Sequence, residues 1–198
     1  MTQASPRNIE MSARSFLFAG GDTGPWRIAE TKAIIGAPLP AAARLAIASG
    51  PALPSDPHAS WILRGMTSNE RYVVREEDRR QLVASQPALG RPEASCGALI
   101  TIRKNAAWWA LTQEQRQNVF ERQSGHAALG LRHFPALARR LHHCRDLSEN
   151  EPFDFITWFE FAPADEAAFD TLLAALRATA EWAYVEREVD IRLVREEL

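Results

Sequence analysis

The segment PFDFITWFEF, residues 152–161, alternates with a period of two. Phe153, Phe155, Thr157, Phe159 and Phe161 fall on one face, and Ile156, Trp158 and Glu160 on the other. That period belongs to a β-strand, whose successive side chains point to opposite sides, and not to a helix. A strand needs neighbours for its backbone hydrogen bonds, so the rest of the chain must supply a sheet. CGALITIR reads as a second strand, and YVEREVDIRLVR as a third in which Val189, Ile191 and Leu193 alternate with Asp190 and Arg192. Nearer the N-terminus, Ser15–Ala19 and Trp26–Ile35 flank GGDTGP, which reads as a hairpin turn. The turn lacks the lysine and the following helix of a phosphate-binding loop. SWILRGMTS and RYVV read as another pair of short strands.

Helical periodicity separates these strands. PADEAAFDTLLAALRAT is amphipathic, with Phe169, Leu172, Leu173 and Leu176 as its buried stripe. REEDRRQLVASQ is a charged helix with Leu82 and Val83 as its apolar contact. LTQEQRQNVFERQSGHAALGL opens with Thr112 and carries Gln115 three residues later, a capping box that starts a helix. Pro135 then suits the first turn of a further helix, PALARRLHHCRDL. GAPLPAAARLAIASGPALPSDPHAS, rich in proline, alanine and serine, reads as an irregular connection with one short helical turn. The final portion therefore runs strand–helix–helix–strand–helix–strand. This order fits an α+β, ferredoxin-like class, an antiparallel sheet that curls into a barrel with helices on its outer face.

At 198 residues the chain suits one large domain or two small, closely packed halves. A net charge of −2 excludes a broad basic field for nucleic acid or acidic membranes. Cys96 and Cys144 are the only cysteines, too few for a disulfide framework or a four-thiolate metal site. They read as two thiols in a reducing compartment, with a single disulfide between them as the alternative. No apolar run reaches the ~18 residues of a membrane-spanning helix. The N-terminus shows no secretory pattern, so residues 1–14 read as a loose leader and the protein as cytoplasmic.

His126 sits beside Gly125, Ala127 and Ala128, with Gly130 one turn further on the same face. Each glycine costs a helix about 0.5–1 kcal/mol relative to alanine. Either the glycines are turn residues or something bulky lies close to that backbone. A flat macrocycle needs such clearance beside a helix that carries its axial imidazole. On one continuous helix Arg139 would point away from His126, whereas a restart at Pro135 lets it lie over a ligand held by the histidine. Arg139 and Arg140 are adjacent and cannot both take that face. In RKNAAWW, Lys104 can hold a carboxylate, and Trp108 and Trp109 can form an aromatic wall or ordinary core. His142, His143 and Cys144 at consecutive helical positions diverge by about 100° each and cannot converge on one ion.

The segments NAAWW, SGHAALGLRHFPALARRLHHCRDL, PFDFITWFEF and EWAYVEREVDIRLVR closely resemble the chlorite dismutase family, in its shorter, dimeric lineage. The resemblance runs from about Phe16 onward and is densest from Arg91 to Arg195. It implies a dimeric αβ-barrel of two ferredoxin-like halves: a truncated one over residues 15–90 and a haem-binding one over 91–198. It also implies haem b, with His126 as the proximal iron ligand and Glu181 hydrogen-bonded to its imidazole. Lys104 would lie near a haem propionate, with Trp108 and Trp109 in the proximal wall. Arg139 would be the flexible distal arginine and Gln86 its distal partner. The implied activity is that of a chlorite O2-lyase, which converts chlorite to chloride and dioxygen through ferryl iron and hypochlorite. The implied assembly is a homodimer, with no nucleic-acid or membrane partner. Two alternatives share the pocket. One is a coprohaem decarboxylase-like enzyme of the same superfamily, whose members lack this distal arginine; the other is a non-enzymatic haem-binding or haem-transfer protein.

Overall fold

The period-two segments become staves of a closed barrel. The computed structural model of the chain describes residues 14–50, 58–67, 87–133 and 136–196. Its strands are β1 (Ser15–Gly21), β2 (Trp26–Ile35), β3 (Arg44–Ser49), β4 (Trp61–Thr67), β5 (Cys96–Lys104), β6 (Ala138–His143), β7 (Phe155–Phe161) and β8 (Val185–Arg195). The helices are α1 (Ala106–Ala110), α2 (Gln113–Gln117), α3 (His126–Leu131) and α4 (Glu166–Arg177), with a π-helical turn over Asn118–Gln123 between α2 and α3. Around the barrel the order is β1-β3-β2-β8-β5-β7-β6-β4, and β4 pairs back onto β1. Every ladder is antiparallel. The last four strands lie in the order β8-β5-β7-β6 and the first four in the order β4-β1-β3-β2. Each set is thus arranged fourth, first, third, second, the ferredoxin-like order, and the α+β class expected from sequence is the one observed.

Alternation along the strands sorts side chains between two cores. Phe18, Leu45, Leu63, Leu99, Ile156, Trp158, Val189, Ile191 and Leu193 fill the barrel interior. Ala98, Ile100, Phe159 and Phe161 point outward against Phe169, Leu172, Leu173 and Leu176 of α4, the stripe expected from its sequence. Charges pin α4 in place. Arg177 contacts Glu188 at 2.6 Å and Asp190 at 2.9 Å, and Arg192 contacts Asp190 at 2.7 Å and Asp170 at 2.8 Å. Glu188 and Asp190 are fully buried, so these partners are what makes their ionised forms tolerable. Among the described residues no helix is long and apolar enough to cross a membrane. Cys96 and Cys144 are both free.

Four elements differ from expectation. Residues 138–143 form strand β6 and not a helix. Alanine, leucine and arginine favour helices, but all six residues pair with β7, from Ala138↔Glu160 to His143↔Phe155, and the ladder overrides propensity. The C-terminal set therefore runs β-α-β-β-α-β, the complete ferredoxin-like pattern. GGDTGP does not close a hairpin, because β3 lies between β1 and β2 and pairs with both. β3 itself falls in the alanine- and proline-rich stretch read as irregular. Phe153 precedes β7 and packs in the barrel interior, away from Phe155. The expected strand RYVV, the helix REEDRRQLVASQ, residues 1–13 of the leader and Pro135 lie outside the described residues.

Candidate functional site

The expected helix over residues 111–131 is broken into three pieces, and the break builds the site. Thr112 and Gln115 form the capping box read from sequence, which starts α2. α2 ends at Gln117, the π-helical turn follows, and Gly125 then adopts a left-handed conformation with φ +59° before α3 begins at His126. A Cβ on Gly125 would meet nothing within 4 Å, so this glycine is a turn residue and not a clearance residue. Gly130 has ordinary helical geometry. A Cβ there would also meet nothing within 4 Å, because the residue borders a cavity.

That cavity lies between the outward face of the sheet and the helices. Ile100, Ile102, Leu141, Phe155, Thr157 and Phe159 form the sheet wall. Phe120, His126, Ala127 and Gly130 form the facing helical wall, with leucines of α4 closing one side. The lining is predominantly apolar, so its few polar groups stand out.

Three of them form a relay, with Lys104 and Glu181 buried and His126 half-buried. Nδ1 of His126 lies 2.8 Å from Oε2 of Glu181, and Nζ of Lys104 donates to Oε1 of Glu181 at 2.8 Å. A second Lys104 hydrogen bond reaches the Glu181 carbonyl at 3.3 Å. The ammonium also sits 4.7 Å from the ring centre of Trp108 and 5.5 Å from that of Trp182. Backbone bonds hold both partners of the salt bridge. The Glu181 amide donates to Oγ of Ser124, and the Lys104 amide to Oδ2 of Asp154. Burial opposes the charge on Glu181, but His126 and Lys104 overcome it and hold its carboxyl down, to about 2. Burial also lowers the Lys104 pKa, against the opposing pull of Glu181. An ionised Glu181 is an acceptor only, so Nδ1 of His126 donates this hydrogen bond and Nε2 is the ring nitrogen that Glu181 does not engage.

Arg139 enters from the sheet wall. Its place on a strand, not a restarted helix, brings it to the cavity. Arg139 and Leu141 point outward, while Arg140 turns to the other face and lies 4.6 Å from the ring centre of Phe16. Adjacent arginines thus do part company, through β alternation. Burial pulls the Arg139 pKa down to about 10, which leaves it a cation at neutral pH. His142 points into the barrel and donates through Nδ1 to the Ile156 carbonyl, and burial lowers its pKa to about 3.

The structure therefore brings His126, Lys104, Glu181, Trp108 and Arg139 to one cavity. Trp109 does not line it; the indole stacks on Phe155 at 6.3 Å with Arg145 4.1 Å from its ring centre. Gln86 lies outside the described residues. Sequence reasoning missed Phe120, whose ring stacks on that of His126 at 4.3 Å and 19°. It also missed Trp182, which donates to Glu188 at 2.8 Å. Among the described residues no three His, Cys, Asp or Glu converge on one point. A metal bound through His126 would bring its other ligands with it, as haem iron does. An imidazole held only through Nδ1, an apolar slot and open space over Gly130 fit such a flat macrocycle.

No family model matches the chain. The solved structure of a dimeric chlorite dismutase from Nitrobacter winogradskyi is 49% identical, with a TM-score of 0.83 over 91% of this chain and 99% of that one. The chlorite dismutase of Ideonella dechloratans is 36% identical over 86 residues, and the match spans 43% of this chain but only 27% of that relative. The structure of chlorite dismutase from Candidatus Nitrospira defluvii in complex with imidazole shares the fold at 19% identity, with a TM-score of 0.63 over 94% of this chain and 93% of that one.

Proposed function

Because the chain belongs to the chlorite dismutase family, we propose that it is a haem b enzyme that converts chlorite to chloride and dioxygen. The carrying observation is one apolar cavity with a carboxylate-anchored imidazole on its helical wall and a half-buried guanidinium on its sheet wall. When bound, haem supplies the redox-active iron at which chlorite, ClO2−, becomes Cl− and O2.

His126 would hold the haem iron through Nε2. Glu181 accepts the Nδ1 proton, fixes the tautomer and makes the imidazole the stronger donor. Lys104 holds Glu181 by charge and hydrogen bonding, so the carboxylate cannot swing away from the imidazole. The remaining ammonium donor of Lys104 and the indole of Trp108 are available to a haem propionate, and Trp109 buttresses the wall from behind Phe155. Arg139 remains cationic and attracts the anion into a cavity whose apolar lining keeps water and protons scarce. Gln86 is the proposed distal partner of Arg139. The proposal extends to a cytoplasmic homodimer and to a division at residues 90/91 between a truncated half and a haem-binding half.

An oxygen electrode on the haem-loaded chain tests the reading: chlorite must release oxygen, and a chain that binds haem but releases none refutes it. Arg139→Ala should keep the Soret band and lower oxygen yield by roughly ten- to a hundredfold, the scale of a preorganised electrostatic group. Unchanged turnover in that variant removes the arginine from this role.

A further inference from the structure

Resting on that reading, we propose that Phe120 is a positioning residue that fixes the plane of the His126 imidazole, and that the π-helical turn exists to present it. The hydrogen bond from Nδ1 to Glu181 fixes one atom of the imidazole. A ring held at one vertex can still tilt about the axis through that atom and Cβ, which would swing the Nε2 lone pair. The Phe120 ring closes off that motion. Its centre lies 4.3 Å from the imidazole centre, and the two planes are within 19° of parallel. A parallel face at that distance leaves no room for the imidazole to roll toward it.

The backbone between the two residues makes the stack possible. Phe120 and His126 are six positions apart, about 600° on a continuous α-helix, which would put them on different faces. Two departures undo that separation. The π-helical turn over Asn118–Gln123 turns less per residue than an α-helix. Gly125, at φ +59°, then redirects the chain so that α3 starts at His126. Val119, next to Phe120, is buried and anchors the turn, while Phe120 lines the cavity beside His126. The other groups at the imidazole are accounted for: Glu181 takes Nδ1, and Ser124 and Lys104 hold Glu181. Phe120 is the group that meets the ring face to face.

The test compares Phe120→Leu with Phe120→Tyr in the full chain. Leucine keeps apolar bulk but removes the flat face, and tyrosine keeps the face. In the haem-free chain, Phe120 shields the His126 ring protons. Phe120→Leu should move those proton resonances downfield and broaden them, and Phe120→Tyr should leave them in place. In the haem-loaded ferrous protein, Phe120→Leu should shift and broaden the iron–imidazole stretching band and speed haem loss to apomyoglobin by roughly 2- to 10-fold, the worth of one aromatic contact. Phe120→Tyr should restore both. A merely structural role would change urea stability but not the band. An unchanged band together with unchanged ring-proton resonances in Phe120→Leu overturns the inference. A wild-type chain that binds no haem overturns the proposed function instead, and the ring-proton arm still decides the stack.

Discussion

The barrel is built from two four-strand sets with one strand order and two very different outer faces. In the C-terminal set, β5 and β6 are joined by three helices and a π-helical turn, and β7 and β8 by α4. Those connections cover the outward residues Ala98, Ile100 and Phe159 and leave the cavity between sheet and helix. In the N-terminal set, β1 passes to β2 through a turn over residues 22–25. The outward residues of that set include Ala19, Ala46 and Ala48, while Ile62 on β4 is 44% exposed. Inward, both sets contribute to one continuous core. The strand order therefore specifies the barrel, and the connections specify the site. Among the described residues, the four-residue turn from β1 to β2 supplies no second wall against which to hold a flat ligand.

Removing the His126 imidazole, the proposed haem ligand, is the harshest test of that asymmetry. His126→Ala should abolish the Soret band on haem titration, since it removes the one imidazole among the residues that line the cavity. A normal haem spectrum in that variant would mean the comparison is wrong and the ligand lies elsewhere.

A second test compares carboxylates in the two sets. Glu181 is 5% exposed and holds Lys104 and His126, whereas Glu30 on β2 pairs with Lys32 at the surface. Glu181→Ala strands a buried ammonium and should cost about 3 kcal/mol by urea unfolding. Glu30→Ala should cost under about 0.5 kcal/mol. Acid should discriminate them too. The folded-state pKa of Glu181 falls from 4.5 to about 2, so between those values the unfolded chain binds more protons. Its contribution is complete above pH 4.5 and is lost as pH falls toward 2. Glu181→Ala should flatten the urea midpoint between pH 5 and about 2.5, and a slope equal to wild type would remove Glu181 from the relay.

The same contrast explains what could be read in advance. β7, β8 and α4 carry their periodicity in large apolar residues, so pattern alone finds them. β6 does not, because its helix-forming composition is overruled by a ladder to residues 12 to 22 positions further on. β3 hides for the opposite reason, since Ala46 and Ala48 give its outer face no signal. At the site, Ala127 and Gly130 mark clearance and Gly125 a turn, and the family resemblance brings in Lys104 and Glu181. The His126–Glu181 contact joins residues 55 apart, a spacing that no local pattern encodes. Phe120 leaves still less trace, because a spacing of six means nothing until the helix between is known to be π-helical and then broken. Trp109 shows the limit of adjacency: next to a residue that lines the cavity, it faces away.

Gly125 and Gly130 give the smallest effects and separate folding from function most cleanly. Both look alike in sequence, yet one is held by conformation and the other by space. Gly125→Ala places a Cβ at φ +59°, which should cost about 1–2 kcal/mol of stability. It would also weaken haem binding by misdirecting α3. Gly130→Ala meets no atom within 4 Å and improves a helix, so stability should rise by about 0.5–1 kcal/mol. The added methyl group nevertheless enters the cavity, and haem affinity should fall. Urea unfolding of the haem-free variants and haem titration of each would therefore show opposite signs at Gly130 and the same sign at Gly125. If Gly130→Ala binds haem as tightly as wild type, the cavity is wider than a macrocycle needs at that wall, and the glycine has no part in receiving it.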